Sequence, residues 1–163
     1  MSAVVGSLIA VAGTLLGSFS TYFFQQRVAQ RAEAAARGER VRQNRLAAVG
    51  EFAAAITELK RGTVAVWFRR ERGDGHYDAL ADADRLGAAA EAAKFRMLLV
   101  VDHAELRAQA DAAFAYMRPL RRASDPEELK AREADFEAHM TTFIATAARL
   151  LNPPGALEPL PPT

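Results

Sequence analysis

Hydrophobic and polar positions divide the chain into four stretches of different character. From Ala3 to Phe24 runs AVVGSLIAVAGTLLGSFSTYFF, 22 residues without a charge, a proline or a histidine. At about 1.5 Å of rise per residue this run reaches roughly 33 Å as a helix, enough to cross a bilayer core. Residues 25–45 are almost wholly polar or alanine. From Leu46 a 3–4 spacing begins and recurs in three further segments. The last twelve residues contain five prolines and predict an extended tail rather than a helix.

Within the first run, Ala3, Gly6, Ala10, Gly13, Gly17 and Ser20 are spaced 3, 4, 3, 4 and 3, so a small residue occupies every position of one helix stripe. Gly13 and Gly17 form a GxxxG, the spacing at which membrane helices approach closely and associate by packing. Tyr22, Phe23 and Phe24 close the run where an interface would fall. No basic residue precedes the run, and it exceeds the length of a signal-peptide core, so an uncleaved anchor is expected. Alanine and glycine are also simply common in membrane helices and in this chain, which is the plainer reading of the stripe.

The amphipathic pattern places the remaining elements. Leu46, Val49, Ala53, Ile56, Leu59, Thr63 and Val66 form one stripe, with Phe52, Trp67 and Phe68 flanking it, on a helix that ends near Arg72. RERGDGHYD, residues 70–78, is a turn. Residues 78–101 form the next helix, with Leu80, Leu86, Ala90, Ala93, Met97 and Val100 or Val101 on its apolar face. MLLVV at 97–101 has no second strand to pair with and is assigned to that helix. Asp102 and Glu105 suggest a cap. The next segment runs from His103 to about Arg122, with Ala110, Phe114 and Met117 on one side and Pro119 loosening its end. Ser124-Asp125-Pro126-Glu127-Glu128 is a strong helix start. The helix that follows, to Leu151, turns Leu129, Phe136, Met140, Phe143, Ile144, Ala147 and Leu151 inward. The fold expected is all-α: one N-terminal transmembrane helix (3–24), a basic juxtamembrane helix (25–45), an elongated cytoplasmic bundle or hairpin domain (46–151) and a proline-rich tail (152–163).

Charge refines this picture only locally. The net charge is +1, so no global basic field argues for nucleic acid, and cysteine is absent, which removes thiol chemistry, disulfides and Cys-type metal sites. Residues 25–45, however, hold Arg27, Arg31, Arg37, Arg40, Arg42 and Arg45 against Glu33 and Glu39. Basic residues beside a membrane helix stay on the cytoplasmic side, which orients the N-terminus outward and the C-terminal domain inward; they also suit anionic lipid heads.

Candidate chemistry is sparse. His76, His103 and His139 lie in a turn, near a helix start and in the last helix, without metal-ligand spacing. Asp74, Asp78, Asp82 and Asp84 near His76 lack the order of a calcium loop and read as an acidic helix start. GTLLGS at 13–18 lacks the lysine of a phosphate loop. No catalytic, cofactor or metal residue is expected, and the chain is not expected to be an enzyme. Expected partners are membrane lipids, a second copy through the membrane helix and a membrane protein complex, not nucleic acid. The runner-up is a small oligomeric pore-forming or growth-inhibitory membrane protein.

The apolar helix containing GTLLGS, then QQRVAQRAEAAARGERVRQNR, then Trp67 followed by basic residues to Arg72, resembles actinobacterial KilB-like membrane proteins. The likeness is best over about the first 75 residues. It implies a membrane component in the spread of conjugative plasmids through the mycelium, acting beside a DNA translocase. No catalytic residues come with it.

Overall fold

The computed structural model describes residues 2–73 and 75–152, with side chains from residue 31 onward. Five helices follow one another: α1 (Ser2–Arg72), α2 (His76–Val100), α3 (Ala104–Ala115), α4 (Met117–Arg122) and α5 (Pro126–Leu151). Among the described residues there is no strand, and the expected all-α class holds. The chain divides into two compact units, Met1–Arg42 and Gln43–Thr163. Among the residues described with side chains, from 31 onward, no helix is long and apolar enough to cross a membrane. The expected membrane helix over 3–24, including Ala3, Gly6, Ala10, Gly13, Gly17 and Ser20, lies outside the residues described in side-chain detail. So do Arg27 and, beyond Asn152, the proline-rich tail.

In the first unit, residues 31–41 are exposed on every side. Such a helix stands on propensity, because alanine, arginine and glutamate lose little on becoming helical. It is helped by the local pair in which Arg42 forks onto Glu39 at 2.7 and 2.8 Å.

In the second unit, α1, α2, α3 and α5 enclose one core. Phe52 lies at its centre with no exposed surface, edge-on to Phe143 with ring centroids 5.4 Å apart and tilted against Phe114 at 6.3 Å. The stripe that α1 buries is Val49, Phe52, Ile56, Leu59, Thr63 and Val66, spaced 3, 4, 3, 4 and 3. Phe52 therefore belongs to the stripe rather than flanking it, and Ala53 is only half-buried at its edge. From α2 come Ala79, Ala90, Ala93 and Met97, with Val101 just beyond the helix end. The close approach of α1 and α2 is made at Gly62, where an added methyl would meet Leu86 Cδ1 at 2.7 Å.

The breaks have local causes. Gly73 and Gly75 both take positive φ, 72° and 59°, and turn the chain between α1 and α2. Val101 is extended, so α2 stops there. The expected Asp102 cap is not made. His103 is the residue preceding α3, no side chain caps that end, and Asp102 lies 3.7 Å from Arg107 instead. The segment expected to run from His103 to about Arg122, loosened at its end by Pro119, is interrupted earlier, at Tyr116. Pro119 has no N–H to offer the carbonyl of Ala115, and its ring crowds that carbonyl, so the two short helices part there. At the start of α5, Asp125 accepts from the Glu128 amide at 2.8 Å. The Glu128 carboxylate reaches back to the Ser124 amide and hydroxyl, both at 2.8 Å. Along α5, Ile144 is 46% exposed, contrary to its expected inward position, and Thr146 is buried instead, accepting from Gln109 Nε2 at 3.3 Å.

Candidate interaction surfaces

Trp67 and Arg70 sit at the end of α1 and fasten the corner between α4 and α5. Trp67 is buried beside Leu120, Ala123 and Leu129, and its indole N–H donates to the Ala123 carbonyl at 2.7 Å. Arg70 donates to the same carbonyl at 2.9 Å and to that of Arg121 at 2.8 Å. Carbonyls at a helix end have no partner within the helix, so these donors satisfy groups the sequence leaves open. Trp67, which the spacing placed beside the α1 stripe, thus packs the end of the bundle.

That fastening leaves a groove alongside. Leu59, Thr63 and Val66 of α1, Ala83, Gly87 and Ala88 of α2, and Phe114 and Met117 line an open cavity of about 470 Å³. Asp84 and Glu91 also line it from α2, and Arg118 and Arg121 from α4. Thr63, the polar residue on the α1 side, donates to Leu59 O at 2.9 Å, and its Oγ1 lies 3.6 Å from Met117 Sδ. The groove therefore has an apolar floor with acids contributed by one helix and arginines by another, a composition suited to a peptide or helix.

The histidines are placed without a shared centre. His103 is exposed before α3, and His76 begins α2. His139 Nε2 lies 2.8 Å from Gln109 O and stacks on Tyr116 at 5.1 Å. Among the described residues no group of three or more His, Asp or Glu could hold a metal ion.

The arginines named from sequence divide by environment. Arg31 and Arg40 are exposed, and Arg37 donates to Glu33 O within its own helix at 3.3 Å. Arg42 is paired with Glu39, whose hydrogen bond holds the guanidinium above its ordinary pKa. Arg45 belongs to the second unit, where it donates to Val100 O at 3.0 Å and closes the end of α2. Sequence reading missed that contact, because nothing local to residue 45 reveals a carbonyl 55 residues away.

Residues 46–151 match the family model described as KilB plasmid transfer protein. The chain belongs to the KilB plasmid transfer protein family. The match covers the bundle with its Trp67 corner and its groove, so the KilB region of this chain is the helical unit just described. No curated protein and no solved structure matches the chain.

Proposed function

We propose that this KilB-family chain is a membrane-anchored helical interaction protein in the transfer or spread of a conjugative plasmid. Residues 3–24 form the anchor, the N-terminus lies outside, and the bundle lies in the cytoplasm, where it holds a partner of the membrane transfer machinery. The observation that carries this reading is the order of parts in one chain. An uncharged run long enough to span a bilayer precedes six arginines, and these precede the KilB region. The arginines set the orientation and meet anionic lipid heads. The bundle carries no assigned catalytic residue, and its groove, apolar with both signs of charge at its edges, is the surface for the partner.

Fusion of alkaline phosphatase or a fluorescent protein to the C-terminus tests the orientation. Fluorescence without phosphatase activity is the expected result, and phosphatase activity from the C-terminal fusion would reverse the topology. Crosslinking in cells carrying the plasmid, followed by purification from membranes, is expected to recover a component of the transfer machinery. Substitutions at Arg118 and Arg121 are expected to weaken that recovery.

A further inference from the structure

Helix α2 carries two seams of the same spacing on opposite faces. Ala79, Ala83, Leu86, Ala90, Ala93 and Met97, spaced 4, 3, 4, 3 and 4, face the core. Ala81, Arg85, Ala88, Ala92, Phe95 and Leu99 repeat that alternation on the side turned to solvent. This second seam ends in side chains that a monomer has no reason to expose: Phe95 is 59% and Leu99 84% accessible. We propose that two copies of the chain pair through this outer face of α2 as a short parallel two-stranded coil.

The alternation is that of the a and d positions of a heptad repeat, with Arg85, Ala92 and Leu99 at a and Ala81, Ala88 and Phe95 at d. Alanines at 88 and 92 let the two backbones approach closely, and Phe95 and Leu99 then stack against their own counterparts. The flanks decide the occupant. In a parallel coil the g position of one helix faces the next e position of the other, five residues further on. Glu91 stands at g and Arg96 at e, so each copy offers its carboxylate to the other's guanidinium. Arg96 is 60% exposed and uses only Nε in its bond to Glu51, at 3.3 Å, which leaves other donors for a second carboxylate. Arg85, the one charge in the seam, meets Asp84 of the other copy beside it. A lipid surface fits this face poorly, since Asp82, Asp84 and Glu91 along its edges would be repelled by anionic headgroups. Parallel pairing also places residues 43–72 of the two copies in the same sense. The proposal is nevertheless independent of the membrane reading, because it concerns residues of the second unit alone, though it shares Asp84, Ala88 and Glu91 with the edge of the groove.

The chain has no cysteine, so single cysteines report the geometry directly. Full-length chain in detergent is treated with a mild oxidant after Ala88→Cys, Ala92→Cys or Ala108→Cys, all three at exposed alanines. Disulfide-linked dimers are expected for the first two and not for the third, which lies on α3. Glu91→Lys is expected to weaken crosslinking at Ala92→Cys by roughly two- to tenfold, the size of a pair of exposed ion contacts, and adding Arg96→Glu to restore it. Restoration by the double charge reversal separates an intermolecular pair from mere damage to the bundle. Monomer at both seam positions, or equal crosslinking at Ala108→Cys, overturns the proposal. So does protection of a labelled Leu99→Cys that appears only when anionic vesicles are added, which would give the face to lipid. Failure of the orientation fusion leaves this cysteine pattern unaffected, so the two readings fail separately.

Discussion

Phe52→Ala removes the side chain around which the second unit is packed. Phe52 has no accessible surface, and it meets Phe143 edge-on at 5.4 Å and Phe114 at 6.3 Å from two other helices. Truncating a buried phenylalanine costs about 3–5 kcal/mol, of which the edge-to-face geometry supplies about 0.5–1.5 kcal/mol. Against a total stability of about 5–15 kcal/mol for a domain of this kind, the variant gives up about a fifth or more of what holds the bundle. Trp67 is the single tryptophan, is 3% exposed and sits in the separate cluster at the α4–α5 corner, so its fluorescence follows unfolding without being touched by the substitution. In urea, with a slope near 2 kcal/mol per M, a loss of about 4 kcal/mol moves the midpoint down by about 2 M at unchanged slope. Phe52→Leu, which keeps most of the volume, is expected to cost about 1–1.5 kcal/mol. A loss below about 1 kcal/mol for Phe52→Ala would refute the placement of Phe52 at the centre of the core.

Gly50→Ala is expected to stabilise the unit by about 0.5–1 kcal/mol in the same denaturation assay, because Gly50 is mid-helix and an added methyl meets nothing within 4 Å. At the start of α5, the Asp125 pKa is held below the usual carboxylate value chiefly by the Glu128 amide and then by the Ser124 hydroxyl. The Glu128 pKa is lowered chiefly by the Ser124 amide and then by its hydroxyl. Both folded-state values lie below the unfolded ones. The stability these groups add is therefore present above the ordinary carboxylate range and lost as pH falls through the lowered values. Asp125→Ala should abolish part of that acid-dependent loss and lower the melting temperature at neutral pH, measured by thermal melts across pH. Gly13→Leu with Gly17→Leu should insert normally yet lose self-association in a bacterial membrane-association reporter, since leucine separates backbones that would otherwise touch.

Most of the fold was legible because amphipathic spacing is a local property. The stripe from Val49 to Val66, the turn at Gly73–Gly75 and the start of α5 each follow from residues within a few positions of one another. The departures came where tertiary contacts decided. From Leu46 onward Phe52 and Ala53 fit the 3–4 spacing equally well, and it is the rings of Phe143 and Phe114, on two other helices, that close over Phe52. Thr146 is buried because Gln109, on another helix, satisfies its hydroxyl, and Ile144 is left at the surface. The effect of Pro119 was legible in kind but not in extent, because whether a proline frays or parts a helix depends on what holds each side. Here Leu120 is buried with Trp67. The groove was not legible at all. Its walls come from residues 59–66, 83–91 and 114–121, and only the packed bundle brings them together. The α2 seam was present in the spacing, but its exposure emerged only once the other face was seen to be the buried one.

Membrane anchoring of the KilB region is the claim on which the proposed role turns, and a complementation assay reaches it most directly. In a host carrying the plasmid with this gene deleted, plasmid spread is measured after supplying the full chain or the same chain without residues 3–24. Both forms are first checked for equal helical content and abundance. The full chain is expected to restore spread and the shortened chain to fail although folded. Restoration by the shortened chain, recovered from the soluble fraction, would contradict the account.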